Sequence, residues 1–139
     1  MPMTTTTAAN VQLLRDLYEL VTGGEIDRAA EHLTDDFVAN QPGRPAPTIG
    51  RAPWKEGTQS MLAAFPDLQA TIEEIFGHDN RVVVRLRFEG THQGPLMSIP
   101  PTQRKVTFSS LELYRVEDGK VAEEWVAPDM LGLMHQLTG

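Results

Sequence analysis

The chain has 139 residues, of which 40% are hydrophobic and 22% are charged, values that suit one folded domain and exclude a disordered, collagen-like or coiled-coil chain. With 19 acidic and 12 basic residues the formal net charge is −7, which argues against nucleic acid and anionic membranes as partners. Cysteine is absent, so disulfides, thiolate nucleophiles and sulfur-ligated metals are excluded. No apolar run could span a membrane and the N-terminus lacks the pattern of a secretory signal, so we expect a cytoplasmic protein.

The first half of the chain predicts helices. Residues 1–7 form a polar lead-in that we expect to be flexible, and residues 8–139 a single domain. Apolar residues recur at helical spacing over residues 11–21 and again over residues 26–33, and the glycines at 23 and 24 separate the two helices. Residues 35–40 lead into a loop rich in proline and glycine, and a third helix begins near Ala52 and is stopped by Pro66.

The second half changes to a period of two, which predicts strands. Strands are expected from residue 68 to 76, from 81 to 92, from 105 to 116 and from 120 to 126, followed by a short helix with Asp129 as its N-cap. In the second of these strands Val82, Val84 and Leu86 share one face with His92, so that face is buried. The element order therefore predicts an α+β fold in which N-terminal helices pack on an antiparallel sheet.

The last hairpin carries the main chemical signal. A three-residue loop with Gly119 in the left-handed conformation would set Glu112 directly opposite Glu124, whereas a two-residue loop would send the two glutamates to opposite faces. Like charges directly opposite each other destabilise a sheet, so the pair requires an explanation. If both glutamates face a buried interior, repulsion and burial leave one protonated and one ionised, which supplies an acid and a base. The alternative is a solvated sheet face on which both only favour solubility.

His92 is the third candidate for acid/base chemistry, because it shares the apolar strand face. The alternative is a histidine that only satisfies hydrogen bonds at the adjoining turn. The four histidines are too scattered for a metal site, and phosphate-binding, dinucleotide-binding and hydrolase motifs are absent, so we expect neither metal nor cofactor.

Several motifs, in the right order, resemble one family. These are Gly90-Thr91-His92-Gln93-Gly94, Ile99-Pro100-Pro101-Thr102, the hairpin from Tyr114 to Val121, the segment from Asp129 to Leu133 with Gln136-Leu137, and Phe65-Pro66-Asp67. They resemble the SnoaL-like polyketide cyclases, also called ester cyclases, over nearly the whole chain. The resemblance implies a cone-shaped roll like that of nuclear transport factor two, with helices closed over a curved sheet. It also implies a ligand between helices and sheet, and a homodimer or homotetramer formed through the sheet.

The resemblance also implies a chemistry. Members close a ring of an aromatic polyketide by intramolecular aldol addition without a cofactor, and their hairpin typically continues Glu-His-Trp-Asp, with the aspartate as acid/base. Here the segment reads Glu123-Glu124-Trp125-Val126. Glu124 therefore occupies the histidine position, two residues before the usual aspartate, and Val126 occupies the aspartate position. Glu112 falls where relatives often carry histidine or aspartate.

We therefore predict a cofactor-independent enzyme that closes a ring of a hydrophobic polyketide-like substrate, with Glu112, Glu124 and His92 as catalytic residues. Epoxide opening, isomerisation or hydroxylation on the same fold is a second possibility, and a non-catalytic binding domain is a third. The residues expected to contact substrate are Tyr18, Phe37, Asn40, Trp54, Met61, Phe65, Phe88, Ser110, Tyr114, Val126 and Asp129.

Overall fold

The computed structural model describes residues 5–139, in which helices and strands follow one another in an α+β arrangement. The elements are α1 (Thr5–Thr22), α2 (Ile26–Ala30), β1 (Leu33–Asn40), β2 (Thr48–Ile49), α3 (Arg51–Ala64), β3 (Gln69–His78), β4 (Arg81–Thr91), β5 (Lys105–Glu117), β6 (Lys120–Pro128) and α4 (Met130–Thr138). The six strands form one curved sheet in the order β2-β1-β6-β5-β4-β3. Among these residues, no helix is both long and apolar enough to cross a bilayer.

Helix α1 starts earlier than the sequence predicts. It begins at Thr5, so the described part of the expected flexible lead-in is helical, and residues 1–4 lie outside the described residues. Tertiary contact explains the difference, because Thr7 and Asn10 are buried and the Thr7 hydroxyl donates to the carbonyl of Asp79 in the β3–β4 turn. The predicted end is confirmed, since α1 stops at Thr22 and Gly24 adopts a φ of 79°.

The prediction that the first half is entirely helical is wrong. Residues 33–40 form β1 and pair in parallel with β6, and the two residues of β2 pair with β1. Leu33, Phe37 and Ala39 are buried along β1, while Asp35 and Asp36 are exposed. The irregular apolar pattern hid the strand, and its partner lies more than 80 residues later in the chain. The sheet is therefore antiparallel except for the β1–β6 pair.

The β5–β6 turn is the shorter of the two alternatives that the sequence left open. Glu117 pairs with Lys120, so the loop contains only Asp118 and Gly119. Both have positive φ, 48° and 76°, as a two-residue type I′ turn requires. Of the two alternatives that the sequence left open, the two-residue loop is therefore correct and the three-residue loop is wrong.

A β-bulge nevertheless brings both glutamates to the inner face. Ala122 is an extra residue in β6, and it shifts the register by one beyond the turn. Glu124 consequently pairs with Tyr114, and Glu112 pairs with Val126. The two glutamates are diagonal neighbours on one face instead of direct partners, a geometry that reduces their repulsion relative to the predicted pairing.

Two apolar clusters fill the space between the helices and the inner face of the sheet. The first joins α1, β1 and the middle of β4 and includes Leu14, Phe37 and Val84. The second joins the end of α3 to α4 and includes Phe65 and Leu133. Because β5 contributes Tyr114 to the first cluster and Phe108 to the second, its residues 110 and 112 lie between them.

Helix α4 is held against the sheet by polar side chains. The Asp129 carboxylate accepts from the Gly132 amide at 2.9 Å, which confirms the predicted N-cap. Gln136 accepts from the Thr107 amide at 2.9 Å and donates to the Thr107 carbonyl at 2.8 Å. Arg104 donates to the carbonyls of Gln136 and Gly139 at the other end of the helix. These bonds close α4 over the sheet where β6 has ended.

Candidate active site

The candidate active site is a group of buried polar side chains on the inner face of β5. Ser110, Glu112 and Tyr114 alternate along the strand, so all three point to the same face. All three are buried, with Glu112 only 8% exposed. Helix α1 packs over β3 and β4 and brings Tyr18 to the same place.

Every oxygen of the Glu112 carboxylate is hydrogen bonded. Tyr18 and Tyr114 each donate from Oη to Oε1 at 2.6 Å, and Ser110 donates from Oγ to Oε2 at 2.7 Å. The two tyrosine hydroxyls are themselves 2.7 Å apart, and their rings meet edge to face at 6.3 Å. Three donors on one carboxylate fix its orientation.

Burial, followed by the neighbouring Glu112 charge, raises the pKa of both Tyr18 and Tyr114 well above the ordinary value. Both phenols therefore stay protonated at neutral pH and remain hydrogen-bond donors. Tyr114 is buried, whereas Tyr18 is partly exposed, so Tyr18 lies on the accessible side of the pair.

Glu124 is a buried carboxyl of a different kind. It is 6% exposed, and no side chain or backbone group among residues 5–139 makes a hydrogen bond to its carboxyl oxygens. Burial, followed by repulsion from Glu112, raises its pKa to about 8. Glu124 is thus mostly protonated at neutral pH, with a minor ionised fraction that is a stronger base than an exposed glutamate.

The sequence left open whether the glutamates were buried or solvated, and the structure places both in the interior. The roles of Tyr18, Tyr114 and Ser110 as donors to Glu112 were not anticipated from the sequence. The alternation of residues 110, 112 and 114 along one strand is a signal that could have indicated two of them. Tyr18, 94 residues away from Glu112, had no comparable signal.

His92 is fully buried but belongs to another part of the fold. Its Nδ1 accepts from the Thr102 amide at 3.2 Å and lies 3.0 Å from the Thr102 hydroxyl, so the ring proton is on Nε2. Its ring lies 5.6 Å from that of Phe65, and Nε2 is buried without a partner in the described residues. These contacts hold the connection between β4 and β5, and none of the described hydrogen bonds of His92 reaches Glu112 or Glu124.

The remaining predicted contact residues fall into different places. Phe37 and Phe65 are completely buried core residues, while Phe88 is partly buried and packs against both apolar clusters. Trp54 packs against the first cluster and Met61 against the second.

Three predicted contact residues lie on β1, β6 and the start of α4. Val126 is partly buried and pairs with Glu112, so it adjoins the acidic pair. The Asn40 side chain does not contact the acidic pair through its amide, which donates to the Glu123 carboxylate and to the Glu124 backbone carbonyl at 3.0 Å each. Asp129 is exposed and serves as the α4 cap. Of these three, only Val126 is brought to the carboxylates.

Two clefts lie away from the acidic pair. One of about 480 Å³ lies beside Thr22, Asp67 and Leu68, and one of about 430 Å³ lies between the start of α1 and the two hairpin turns. Neither is lined by Glu112 or Glu124, so the convergence of buried polar groups, and not cleft size, locates the candidate site. Over residues 5–139, no three histidine, aspartate or glutamate side chains are grouped as metal ligands would be.

The fold and site define an α+β protein whose helices close over a curved sheet that carries a buried acidic pair. The sequence profile of the SnoaL-like polyketide cyclases matches residues 11–137. The chain therefore belongs to the SnoaL-like polyketide cyclase family and is a cyclase-like enzyme.

Individual relatives agree with this assignment. The aklanonic acid methyl ester cyclase of Streptomyces sp. strain C5 is 30% identical over 135 residues, which cover 91% of this chain and 80% of that protein. The nogalonic acid methyl ester cyclase of Streptomyces nogalater is 38% identical over 126 residues, covering 82% and 86%. A solved structure from Jannaschia sp. CCS1 superposes with a TM-score of 0.92 at 22% identity, over 100% of this chain and 98% of that chain, and shows the fold.

Proposed function

We propose that this chain closes a carbocyclic ring in a polyketide-derived ester by an intramolecular aldol addition, with Glu124 as the group that transfers the proton. The observation that carries the proposal is the unequal state of the two buried carboxyls. Glu112 is held by three donors, whereas Glu124 has a pKa raised to about 8 by burial and by Glu112, and its carboxyl makes no hydrogen bond within the described chain. A free carboxyl that titrates near neutral pH is suited to give and take protons.

In the proposed reaction, the ionised form of Glu124 removes a proton from a carbon next to a carbonyl group. The resulting enolate carbon attacks a second carbonyl carbon of the same molecule, forming the new carbon–carbon bond. The alkoxide left by this attack takes the proton back from Glu124, so the enzyme is regenerated and the substrate is isomerised without an added cofactor. Proton transfer of this type contributes about 10²- to 10⁴-fold to a rate.

The charge of the site favours a neutral substrate. Among the described residues, the buried polar side chains are those of Thr7, Asn10, His92, Ser110, Glu112 and Glu124, a set without lysine or arginine. An anionic substrate group placed beside Glu112 would be repelled without a compensating cation. The substrates named for the two relatives are methyl esters, in which the carboxyl charge is removed. We therefore expect the ester to be turned over and the free acid to be rejected.

The test is to incubate the purified protein with aklanonic acid methyl ester or nogalonic acid methyl ester and to follow ring closure by chromatography and mass spectrometry. Aldol closure changes the retention time and the absorption spectrum but leaves the mass unchanged. We expect Glu124→Gln to lower kcat by at least about 100-fold. Glu123→Gln is the matched control, because Glu123 is the neighbouring glutamate but forms an ion pair with Arg115. This variant should leave kcat nearly unchanged. An active Glu124→Gln enzyme would contradict the proposal.

Two other outcomes separate the alternatives. Opening of an epoxide substrate by the wild type, together with failure to cyclise either ester, would favour a hydrolase on the same fold. Tight binding of the esters without any product, unaffected by Glu124→Gln, would indicate a binding protein.

We also propose that the outer face of the sheet joins two copies of this chain. On this face, strand pairing places Phe76, Val83, Leu113 and Trp125 in one row across four strands. Phe76 is 52% exposed, and Leu111, two residues from Leu113 on the same face, is 56% exposed. Such an apolar row on a solvent-facing sheet is typical of an interface. Leu111→Asp should yield a monomer in sedimentation velocity, whereas Leu131→Asp, at an exposed residue of α4 away from the outer face of the sheet, should not. A wild-type monomer would refute self-association.

A further inference from the structure

The site contains more than its proton-transferring group. Glu112 is a second buried acid, and the hydrogen bonds that occupy its carboxylate leave it poorly placed to remove a proton from substrate. A buried acid that does not react with substrate needs another role. The inference below rests on the proposed function of Glu124 and concerns what Glu112 does for it.

Strand register places Glu112 close to Glu124. Tyr114 is the direct partner of Glu124, and Val126 is the direct partner of Glu112, so the two glutamates occupy diagonal positions on the same face. The Cα atoms of diagonal neighbours of this kind lie about 7 to 8 Å apart, within reach of long side chains. Two carboxyl groups on such positions interact appreciably when both are buried and water is excluded.

Within residues 5–139, no group of opposite charge contributes to the shift of the Glu124 pKa. The titratable groups that interact with it are Glu112 and Tyr114 on β5 and Tyr18 on α1, and β1 places Ala39 beside it. Both tyrosines remain uncharged at neutral pH, because their pKa values are raised by burial. The Glu112 carboxylate is thus the one charged group identified as acting on Glu124 within the described chain.

We propose that Glu112 is a positioning residue: Ser110, Tyr18 and Tyr114 hold its carboxylate in place, and its charge keeps Glu124 the proton-carrying member of the pair. Glu112 acts through Glu124 and does not exchange a proton with substrate. The three donors serve this role by fixing the Glu112 carboxylate in its diagonal position beside Glu124. Burial alone makes the larger contribution to the raised pKa of Glu124, and Glu112 adds to it.

The experiment compares Glu112→Gln with the wild type in two measurements. The first is the titration of the Glu124 carboxyl, followed by carbon-13 NMR of protein labelled at the glutamate side-chain carboxyl, with the Glu124 signal assigned from Glu124→Gln. The second is the pH dependence of kcat/KM for ring closure. Glutamine keeps the shape of Glu112, can accept from both tyrosines and can donate to Ser110, so the fold should persist.

We expect Glu112→Gln to lower the Glu124 titration midpoint by about one pH unit or more, but not to the value of an exposed glutamate, because burial remains. The limb of the kcat/KM profile that reports Glu124 should move by the same amount. Glu123→Gln, which neutralises an acid adjacent in sequence but on the outer face, should move neither. Glu112→Met removes the same charge without an amide and should reproduce the shift if the glutamine variant folds poorly.

A Glu124 midpoint that is the same in the wild type and in both Glu112 variants would overturn the inference. This outcome is distinguishable from failure of the proposed function, because the NMR titration needs no turnover. An active Glu124→Gln enzyme refutes the proton-transfer role, whereas an unmoved midpoint refutes only the role of Glu112.

Discussion

Replacing Glu124 by glutamine should change how the stability of the protein depends on pH. The folded chain holds the Glu124 proton up to about pH 8, whereas the unfolded chain releases it near the ordinary pKa of 4.5. Within this window the folded state binds one more proton than the unfolded state, so the free energy of unfolding falls as the pH rises. The loss ends once the pH exceeds the folded-state pKa.

The size of the effect follows from the width of the window. Each pH unit within this window lowers the free energy of unfolding by about 1.4 kcal/mol. The ionisation of Glu124 alone therefore lowers the free energy of unfolding by about 5 kcal/mol between pH 4.5 and 8. That is comparable to the whole stability of a small domain, about 5 to 15 kcal/mol. Glutamine has the same shape and does not ionise, so Glu124→Gln should match the wild type near pH 5 and exceed its stability by up to about 5 kcal/mol at pH 9.

Urea unfolding followed by tryptophan fluorescence at pH values from 5 to 9 measures this difference. The contributions of groups that titrate in both proteins and do not interact with Glu124 cancel when the two curves are subtracted. Glu123→Gln is the control, since Glu123 is partly exposed and paired with Arg115, and its curve should stay parallel to that of the wild type. If the Glu124→Gln and wild-type curves are parallel over the whole range, the assignment of a raised pKa to Glu124 is refuted.

Two further predictions concern packing. Gly94→Ala should lower the free energy of unfolding by about 3 kcal/mol, because the added carbon would overlap the Ala63 carbonyl. Gly57→Ala, on the open surface of α3, should raise the free energy of unfolding by about 1 kcal/mol, because alanine favours a helix over glycine. Thermal unfolding of the two variants checks both signs. Gln136→Ala should cost about 1 to 3 kcal/mol and expose α4 to limited proteolysis, because both of its hydrogen bonds to Thr107 are lost. His135→Ala, on the exposed side of the same helix, should leave the cleavage rate unchanged, and equal rates for all three proteins would contradict the tethering of α4 by Gln136.

Local features of the fold were predictable from the sequence. Pro66 follows the end of α3, Asp129 caps α4, and alternation along β4 buries Val82, Val84 and Leu86. Each depends on residues within a few positions of one another, through proline geometry, capping or the two-residue period of a strand. The family resemblance correctly indicated the helices closed over a curved sheet.

Features that depend on distant pairing were not predictable in the same way. The sequence of residues 33–40 suggests a helix end followed by a loop. These residues form a strand because they pair with the edge of β6. The hairpin shows the same limit, because the turn alone would have placed Glu112 and Glu124 on opposite faces and the bulge at Ala122 reverses that outcome. The sequence left open whether the glutamates face the interior, and the alternative that placed them on one face did so through an incorrect register.

By itself, the sequence determined the elements whose signals are local and named Glu112 and Glu124 as the acids to consider. Only the tertiary structure decided that they differ, because the donors that occupy Glu112 include Tyr18 from a helix 94 residues away, and Glu124 receives no such donor within the described chain. Burial and hydrogen bonding set the proton affinity of a carboxyl, and both are created by contacts between segments that are remote in the chain.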